Sequence, residues 1–345
     1  MPDPAVSLES RLMLAWSRRS WLACLLWPLS LLYGGVVAGR RALYRCGWKK
    51  AGHLPVPVVV VDNIFVGGTG KTPLTIWLVQ ALREAGYRPG VISRGYGVRT
   101  QGTLAVSSAS LAQDVGDVPL LIAERAACPV VVGRNRVAAG LALLALHPEV
   151  DVIISDDGLQ HYALARDVEI VLSDRRGVGN GWLLPAGPLR EPSSRRGDFA
   201  VCNLGSKASA ADLPQTTMAM WLDAGYAEQL RDRTQRQPLA ALATTAQGVV
   251  AVAGIGNPGR FFATLEDAGL RFDTLALPDH DDFTGNPFAD LSAALILITE
   301  KDAVKCRAIE AVKNDPRIWI VPVTARIDGA LAEQLVEKLR ERSLA

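Results

Sequence analysis

The 345-residue chain balances 37 Lys and Arg against 35 Asp and Glu, a formal net charge of +2, with 49% hydrophobic and 21% charged residues. This is globular composition with ample apolar material for a core, and so small a net charge gives no argument for a nucleic-acid partner. The length suits two domains, and five scattered cysteines, none spaced C-x-x-C, fit a reducing cytosol and supply neither a zinc site nor a disulfide frame.

The first distinctive element is the uncharged run from Ser20 to Gly39, bordered by Arg11, Arg18 and Arg19 before it and by Arg40, Arg41, Arg45, Lys49 and Lys50 after it. As a helix, ~20 residues would measure about 30 Å, roughly the thickness of a hydrocarbon core. Trp21, Trp27 and Tyr33 are residue types favoured at the membrane interface, while Pro28, Ser30, Gly34 and Gly35 weaken the run as a simple span. Basic flanks on both sides fit a segment lying in, or dipping into, an anionic leaflet. The competing readings are a secretory signal, against which stand the length of the run and the lack of an A-x-A site, and a buried core helix.

Beyond the basic connector, apolar runs alternate with helical stretches. VPVVVVDNI (56–64) reads as a strand buried on both faces, and Thr72 to Ala85 as a helix with Pro73 in its first turn and Gly86 at its stop. Further strands are expected at 90–93, 103–107, 129–133, 150–156 and 168–174, with a helix over 135–146. This rhythm specifies a parallel sheet covered by helices. Residues 175–197, rich in Gly, Pro and Arg, read as a long functional loop, followed by a strand at 199–203. A second α/β set is expected from strands at 249–256, 270–277, 293–299 and 318–323 and a helix near 328–342. The expected organisation is a membrane-associating segment (1–50), a P-loop core (51–205), a connector (206–245) and a smaller α/β domain (246–345).

The strongest chemical signal is Gly67-Gly68-Thr69-Gly70-Lys71-Thr72, set between a buried strand and a helix. Glycines let successive N–H groups curl around phosphate oxygens at a helix N-terminus. Lys71 would neutralise the β- and γ-phosphates of ATP, and the Thr72 hydroxyl would ligate Mg²⁺. The strict G-x-x-x-x-G-K-[ST] pattern fails only at its first position, which is Phe65. The second signal is Asp156-Asp157 at the end of an apolar strand, where a P-loop protein needs a carboxylate for its metal.

The blocks VGGTGKTP, SRGYG (93–97), GD-x-P (116–119), DDGLQH (156–161), LLPAGPLRE (183–191), GIGNPGRFF (254–262), LPDHDDF (277–283) and TEKDAVK (299–305) together resemble the tetraacyldisaccharide 4′-kinase family, the lipid A 4′-kinases of Gram-negative bacteria. The resemblance implies Mg-ATP-dependent phosphorylation of the 4′-hydroxyl of a tetraacylated glucosamine disaccharide 1-phosphate. It also implies a larger P-loop domain and a smaller α/β domain. Because Mg-ATP is cytosolic, the expected place of work is the cytoplasmic face of the bacterial inner membrane, and a monomer is expected although the sequence leaves the oligomeric state open. By position, it makes Asp117 the catalytic carboxylate and His280 its partner, and adds Glu191 to the metal environment of Thr72, Asp156 and Asp157. Arg190 becomes a phosphate holder, and Arg94, Tyr96 and His161 become substrate or nucleotide contacts. The chain departs from the family pattern at Val118, where the family commonly has Glu, and at Asp281, where it often has His or Tyr.

Three other classes compete. A membrane-associated switch ATPase would usually have Lys before the paired glycines, where this chain has Val66, and a metal chaperone would need a Cys- or His-rich site. A nucleotide-gated adaptor would leave Asp117, His280 and the 175–197 loop without a purpose.

Overall fold

The computed structural model describes residues 8–95, 102–205, 209–279, 281–328 and 330–343. Tyr96 and His280 lie outside the described residues. In chain order the first part comprises α1 (Leu8–Ser17), α2 (Trp21–Arg45), β1 (Val58–Asn63), α3 (Lys71–Glu84), β2 (Pro89–Ser93), β3 (Thr103–Ala105), α4 (Ala112–Val115), α5 (Asp117–Ala126), β4 (Val130–Gly133), α6 (Arg136–Leu146), β5 (Val152–Asp156), β6 (Val168–Asp174), β7 (Phe199–Asn203) and β8 (Thr217–Asp223). There follow β9 (Tyr226–Gln229), β10 (Arg236–Pro238), α7 (Leu239–Thr245), β11 (Val249–Ala253), α8 (Pro258–Asp267), β12 (Asp273–Ala276), β13 (Leu295–Thr299), α9 (Glu300–Cys306), α10 (Glu310–Lys313), β14 (Ile318–Val321), β15 (Thr324–Ile327) and α11 (Ala330–Ser343).

These strands form two sheets. The larger has nine strands in the order β15-β8-β7-β6-β1-β5-β2-β4-β3, parallel except at its edges, where β3 and β15 run antiparallel to their neighbours. Every residue of β1 is buried, as expected of a central strand covered on both faces. Val59 and Val61 face the core shared with Leu74 and Leu78 of α3 and Leu331 and Leu335 of α11. Val58 and Val60 face the opposite core with Leu143 of α6. The smaller sheet, in the order β10-β9-β14-β13-β11-β12, is parallel from β14 to β12 and is closed at one edge by the antiparallel strands β9 and β10.

The sheets divide the chain differently from the expected boundaries. The stretch expected as a connector supplies β8 to the larger sheet and β9 and β10 to the smaller one. The C-terminal β15 and α11 return to the larger sheet, β15 pairing with β8 from Thr324↔Asp223 to Ile327↔Met220. Strands that are short or mixed in polarity, as these are, carry a weak alternation signal, so their pairing is decided by the sheet they complete. The chain therefore passes between the sheets at residues 224–225 and again at 322–323. Alongside these crossings α5 packs on α9, with Arg125 paired to Glu300 and Arg307 to Glu124 at 2.5 Å.

α2 begins at Ser20, whose hydroxyl accepts from the Ala23 N–H at 3.3 Å, a standard N-cap. One face docks on the 175–197 loop. Ser30 Oγ donates to the Leu183 carbonyl (2.8 Å), Tyr33 Oη donates to the Arg190 carbonyl (3.1 Å), and Trp27 packs on Trp182. The other face exposes Trp21, Leu25, Leu29, Leu32 and Val36. The buried-core alternative does not hold for this helix, the one helix among the described residues long and apolar enough to cross a membrane.

Candidate active site

β1 sits where the parallel sheet branches, with β5 on one side and β6 on the other, so the loops after these strands open at one carboxyl edge, the usual ligand crevice of such sheets. The Gly67–Thr72 loop leaves β1 and enters α3 directly. Gly70 caps that helix at φ 100°, and a Cβ there would collide with the Asn203 amide, whose Nδ2 donates to the Thr69 carbonyl at 2.8 Å. Both the backbone angle and the close approach require glycine. Phe65, the departure from the strict motif, is buried and carries the guanidinium of Arg176 over its ring at 4.3 Å, while Arg176 Nη2 donates to the Gly68 carbonyl at 3.2 Å.

Lys71 pairs with Asp157 and lies 3.2 Å from Asp62 Oδ1. Arg190 bridges the same carboxylates, 2.7 Å from Asp62 and 3.2 Å from Asp157, and also donates to Asn63 Oδ1 at 2.7 Å. Burial would discharge Lys71, but Asp62 and Asp157 outweigh it and hold the ammonium pKa above its ordinary value. Burial would likewise raise Asp157, yet Lys71 and Arg190 keep it ionised, well below the usual carboxylate range. Asp156 behaves oppositely. Burial, reinforced by the charges of Asp157 and Asp62, pushes it up to about 6 against the pull of Lys71 and Arg136.

Arg136, 2% exposed, braces this turn from the start of α6 by donating to the carbonyls of Gly133 (2.8 Å) and Asp156 (3.1 Å). His161 is driven down to about 4 by burial and by the positive charges of Arg136 and Arg94, so its imidazole is neutral near pH 7. Arg94 is exposed at the end of β2 and lines a small cavity with Gly95 and Arg134. Glu191 is fully buried and accepts from the Tyr162 hydroxyl, so the structure does not bring it into the group around Lys71.

Asp117 begins α5 and is 5% exposed, with its Oδ1 accepting from the Val118 N–H at 2.9 Å and its Oδ2 3.5 Å from Lys301. Lys301 also lies 3.2 Å from Asp279, so the GD-x-P, LPDH and TEKD blocks meet at one cation. The smaller sheet touches the P-loop itself. A Cβ on Gly256 would stand 3.4 Å from the Gly68 nitrogen, and Arg260 of α8 reaches Asp174 at the end of β6 at 2.5 Å. Sequence reasoning missed Asp62, Asn203, Lys301 and Arg260. Asp62 had a readable signal, a lone carboxylate directly after four consecutive valines on the strand that leads into the P-loop.

No cluster of three or more metal-ligating side chains occurs among the described residues. Mg²⁺ at a nucleotide needs no such cluster, since one or two carboxylates hold it with phosphate and water completing the shell. Asp156 Oδ1 and Glu191 Oε2 are buried oxygens with no hydrogen-bond partner, which leaves them lone pairs to offer.

A P-loop between β1 and α3, acidic strand ends beside it and a second α/β layer over it define a P-loop phosphotransferase. The family model described as LpxK, tetraacyldisaccharide-1-P 4′-kinase, matches residues 22–340. A tetraacyldisaccharide 4′-kinase from Janthinobacterium sp. (strain Marseille) is 62% identical over 343 residues, 98% of each chain, and one from Herminiimonas arsenicoxydans is 57% identical over 350 residues with the same coverage. A solved structure of LpxK from Aquifex aeolicus in complex with ATP superposes with a TM-score of 0.75 at 29% identity, covering 93% of this chain and 99% of that one. The chain belongs to the tetraacyldisaccharide-1-P 4′-kinase family, kinases of lipid A biosynthesis.

Proposed function

We propose that this site transfers the γ-phosphate of ATP to the 4′-hydroxyl of a tetraacylated glucosamine disaccharide 1-phosphate at the cytoplasmic face of the bacterial inner membrane, with the chain acting as a monomer. The supporting observation is Lys71, held charged at the P-loop by carboxylates, in a chain 62% identical to a tetraacyldisaccharide 4′-kinase over nearly its whole length. The N–H groups of the Gly67–Thr72 loop cradle the phosphates and Lys71 offsets their charge. Thr72, Asp156 and Asp157 would hold Mg²⁺, Asp156 through Oδ1, and the ion would supply charge neutralisation at the phosphates. Arg190 turns from Asp157 to phosphate oxygens, for which its fork geometry is suited, while it keeps its pairing with Asp62. Asp117 takes the proton of the attacking hydroxyl, with His280 as its partner. Arg94, Tyr96 and neutral His161 contact the sugar or nucleotide.

The acyl chains of such a substrate remain in the bilayer, and the exposed apolar face of α2 brings the site to that surface. Incubation with labelled ATP, Mg²⁺ and the acylated disaccharide 1-phosphate tests the reading, and label should appear in a bisphosphorylated lipid. ATP hydrolysis with no lipid product would instead identify a membrane-associated switch ATPase.

A further inference from the structure

Asp62 is out of place in a pocket built for a polyanion. It is fully buried, yet stands beside the P-loop lysine, where a negative charge opposes the phosphates. Its hydrogen bonds account for its presence. Oδ1 accepts from the Asn63 N–H (2.7 Å), from Arg190 (2.7 Å) and from Lys71 (3.2 Å), and Oδ2 accepts from the Leu159 N–H (3.0 Å). Leu159 follows Asp157 by two residues, on a turn where Asp157 itself takes the left-handed φ of 54°. One carboxylate thus ties together the end of β1, the P-loop lysine, Arg190 and the Asp156–Asp157 turn.

Asp157 shares both cations but differs in exposure, with 27% of its side chain accessible against 0% for Asp62. Asp157 is therefore free to exchange its cations for other partners, whereas Asp62, saturated by four protein donors, is not.

The geometry points to Asp62 as a positioning residue, a fixed buried anion that keeps Lys71 and Arg190 aligned while Asp157 turns from them to the metal-nucleotide. It acts through those two side chains and touches neither phosphate nor sugar. The inference rests on the transfer reaction proposed above. Its signature is selective. Removing the negative charge weakens the alignment needed in the transition state, but it also removes a repulsion against bound ATP.

The test is Asp62→Asn in the full-length protein, with Mg-ATP binding measured by calorimetry without lipid, and kcat and KM measured with the acylated disaccharide 1-phosphate. The expected result is a kcat lower by about 10- to 100-fold, the scale of an ångström-level misplacement, with Mg-ATP bound as tightly as before or more tightly. Unchanged kcat, or parallel losses in kcat and ATP affinity, would overturn the role. Should Asp62→Asn not fold, Arg190→Lys breaks the same bridge from its other end. A single ammonium cannot span Asp62, Asn63 and Asp157, so the loss should again fall on kcat, and a loss confined to the KM for ATP would count against Asp62. Failure of the unsubstituted chain to phosphorylate the lipid would remove the reaction itself. Transfer by the unsubstituted chain with an unselective loss in the variant would remove only the role of Asp62.

Discussion

The Lys301 ammonium lies 3.5 Å from the carboxylate of Asp117, an ion pair that joins α9 of the smaller sheet to the start of α5 on the larger one. Since Asp117 is the proposed proton acceptor, this contact aims its carboxylate and ties its position to the packing of the two sheets. Asp117→Asn should lower kcat by about 10²–10⁴, the scale of a lost general base, with little effect on ATP affinity. Lys301→Met should give a smaller loss in kcat, and the double variant should fall short of the product of the two because the residues act as a unit. Independent, multiplicative losses in steady-state kinetics would show that Lys301 serves only the junction.

At the P-loop, Lys71→Ala and Thr72→Ala should each abolish measurable transfer in a folded protein. Thr72 is only partly buried on the first turn of α3, so its loss costs little packing. Lys71→Ala also strips Asp62 of one cation and leaves that buried carboxylate to Arg190 and the Asn63 and Leu159 N–H groups, so it should lower the melting temperature, whereas Thr72→Ala should not. Near-normal turnover by either variant at saturating Mg-ATP would contradict the assignment.

Asp156 makes the metal-free protein pH-sensitive in a particular direction. Its folded pKa of about 6 lies above the ordinary carboxylate value, so the folded state binds the proton more readily than the unfolded chain. Its stability contribution is complete below about pH 4 and is lost as pH rises through about 6. Asp156→Asn, which mimics the protonated form, should therefore raise the melting temperature at pH 7.5, by an amount corresponding to at most ~3 kcal/mol, have little effect at pH 4, and abolish Mg²⁺-dependent transfer. Equal effects on stability at both pH values would show that Asp156 is not held above its normal pKa.

The larger sheet was readable because its strands are continuous apolar runs with turn residues between them, and the P-loop because its glycines mark a backbone that other residues cannot adopt. β8, β9, β10 and β15 were not, since YAEQ, RQP and TARI are short and TMAMWLD is mixed in polarity. The return of β15 and α11 to the larger sheet is a long-range pairing with no local signature. Motifs singled out Lys71, Asp117, Asp156, Asp157 and Arg190 as candidates, but motifs name residues and not their partners. That Arg190 bridges Asp62 and Asp157, and that Lys301 meets Asp117, follows only from chain segments distant in sequence converging in space.

The N-terminal helix gives the last prediction. The N-terminal helices are not an independent anchor, because Trp16 Nε1 of α1 donates to the Pro185 carbonyl (2.9 Å), and in α2 Ser30 donates to Leu183 and Tyr33 to the backbone of Arg190. Deleting residues up to Arg45 would therefore damage the loop that carries Arg190 as well as membrane attachment, and would not separate the two. Substitutions on the exposed face do separate them. Leu25 and Leu32 are 67% and 69% exposed, so Leu25→Glu with Leu32→Glu should leave the fold and Mg-ATP binding intact. The apolar area available to a bilayer would fall, and two acidic groups would oppose the attraction of Arg40, Arg41, Arg45, Lys49 and Lys50 to anionic lipid, worth about 1 kcal/mol for each basic residue near the surface. In flotation with anionic vesicles, the unsubstituted protein should stay bound at high salt, because insertion of Trp21, Leu25, Leu29, Leu32 and Val36 is not screened, and the variant should detach. Its KM for vesicle-borne substrate should rise while its KM for ATP holds. If the variant floats as well as the unsubstituted protein, this face of α2 does not contact the membrane, and attachment must be sought on another surface.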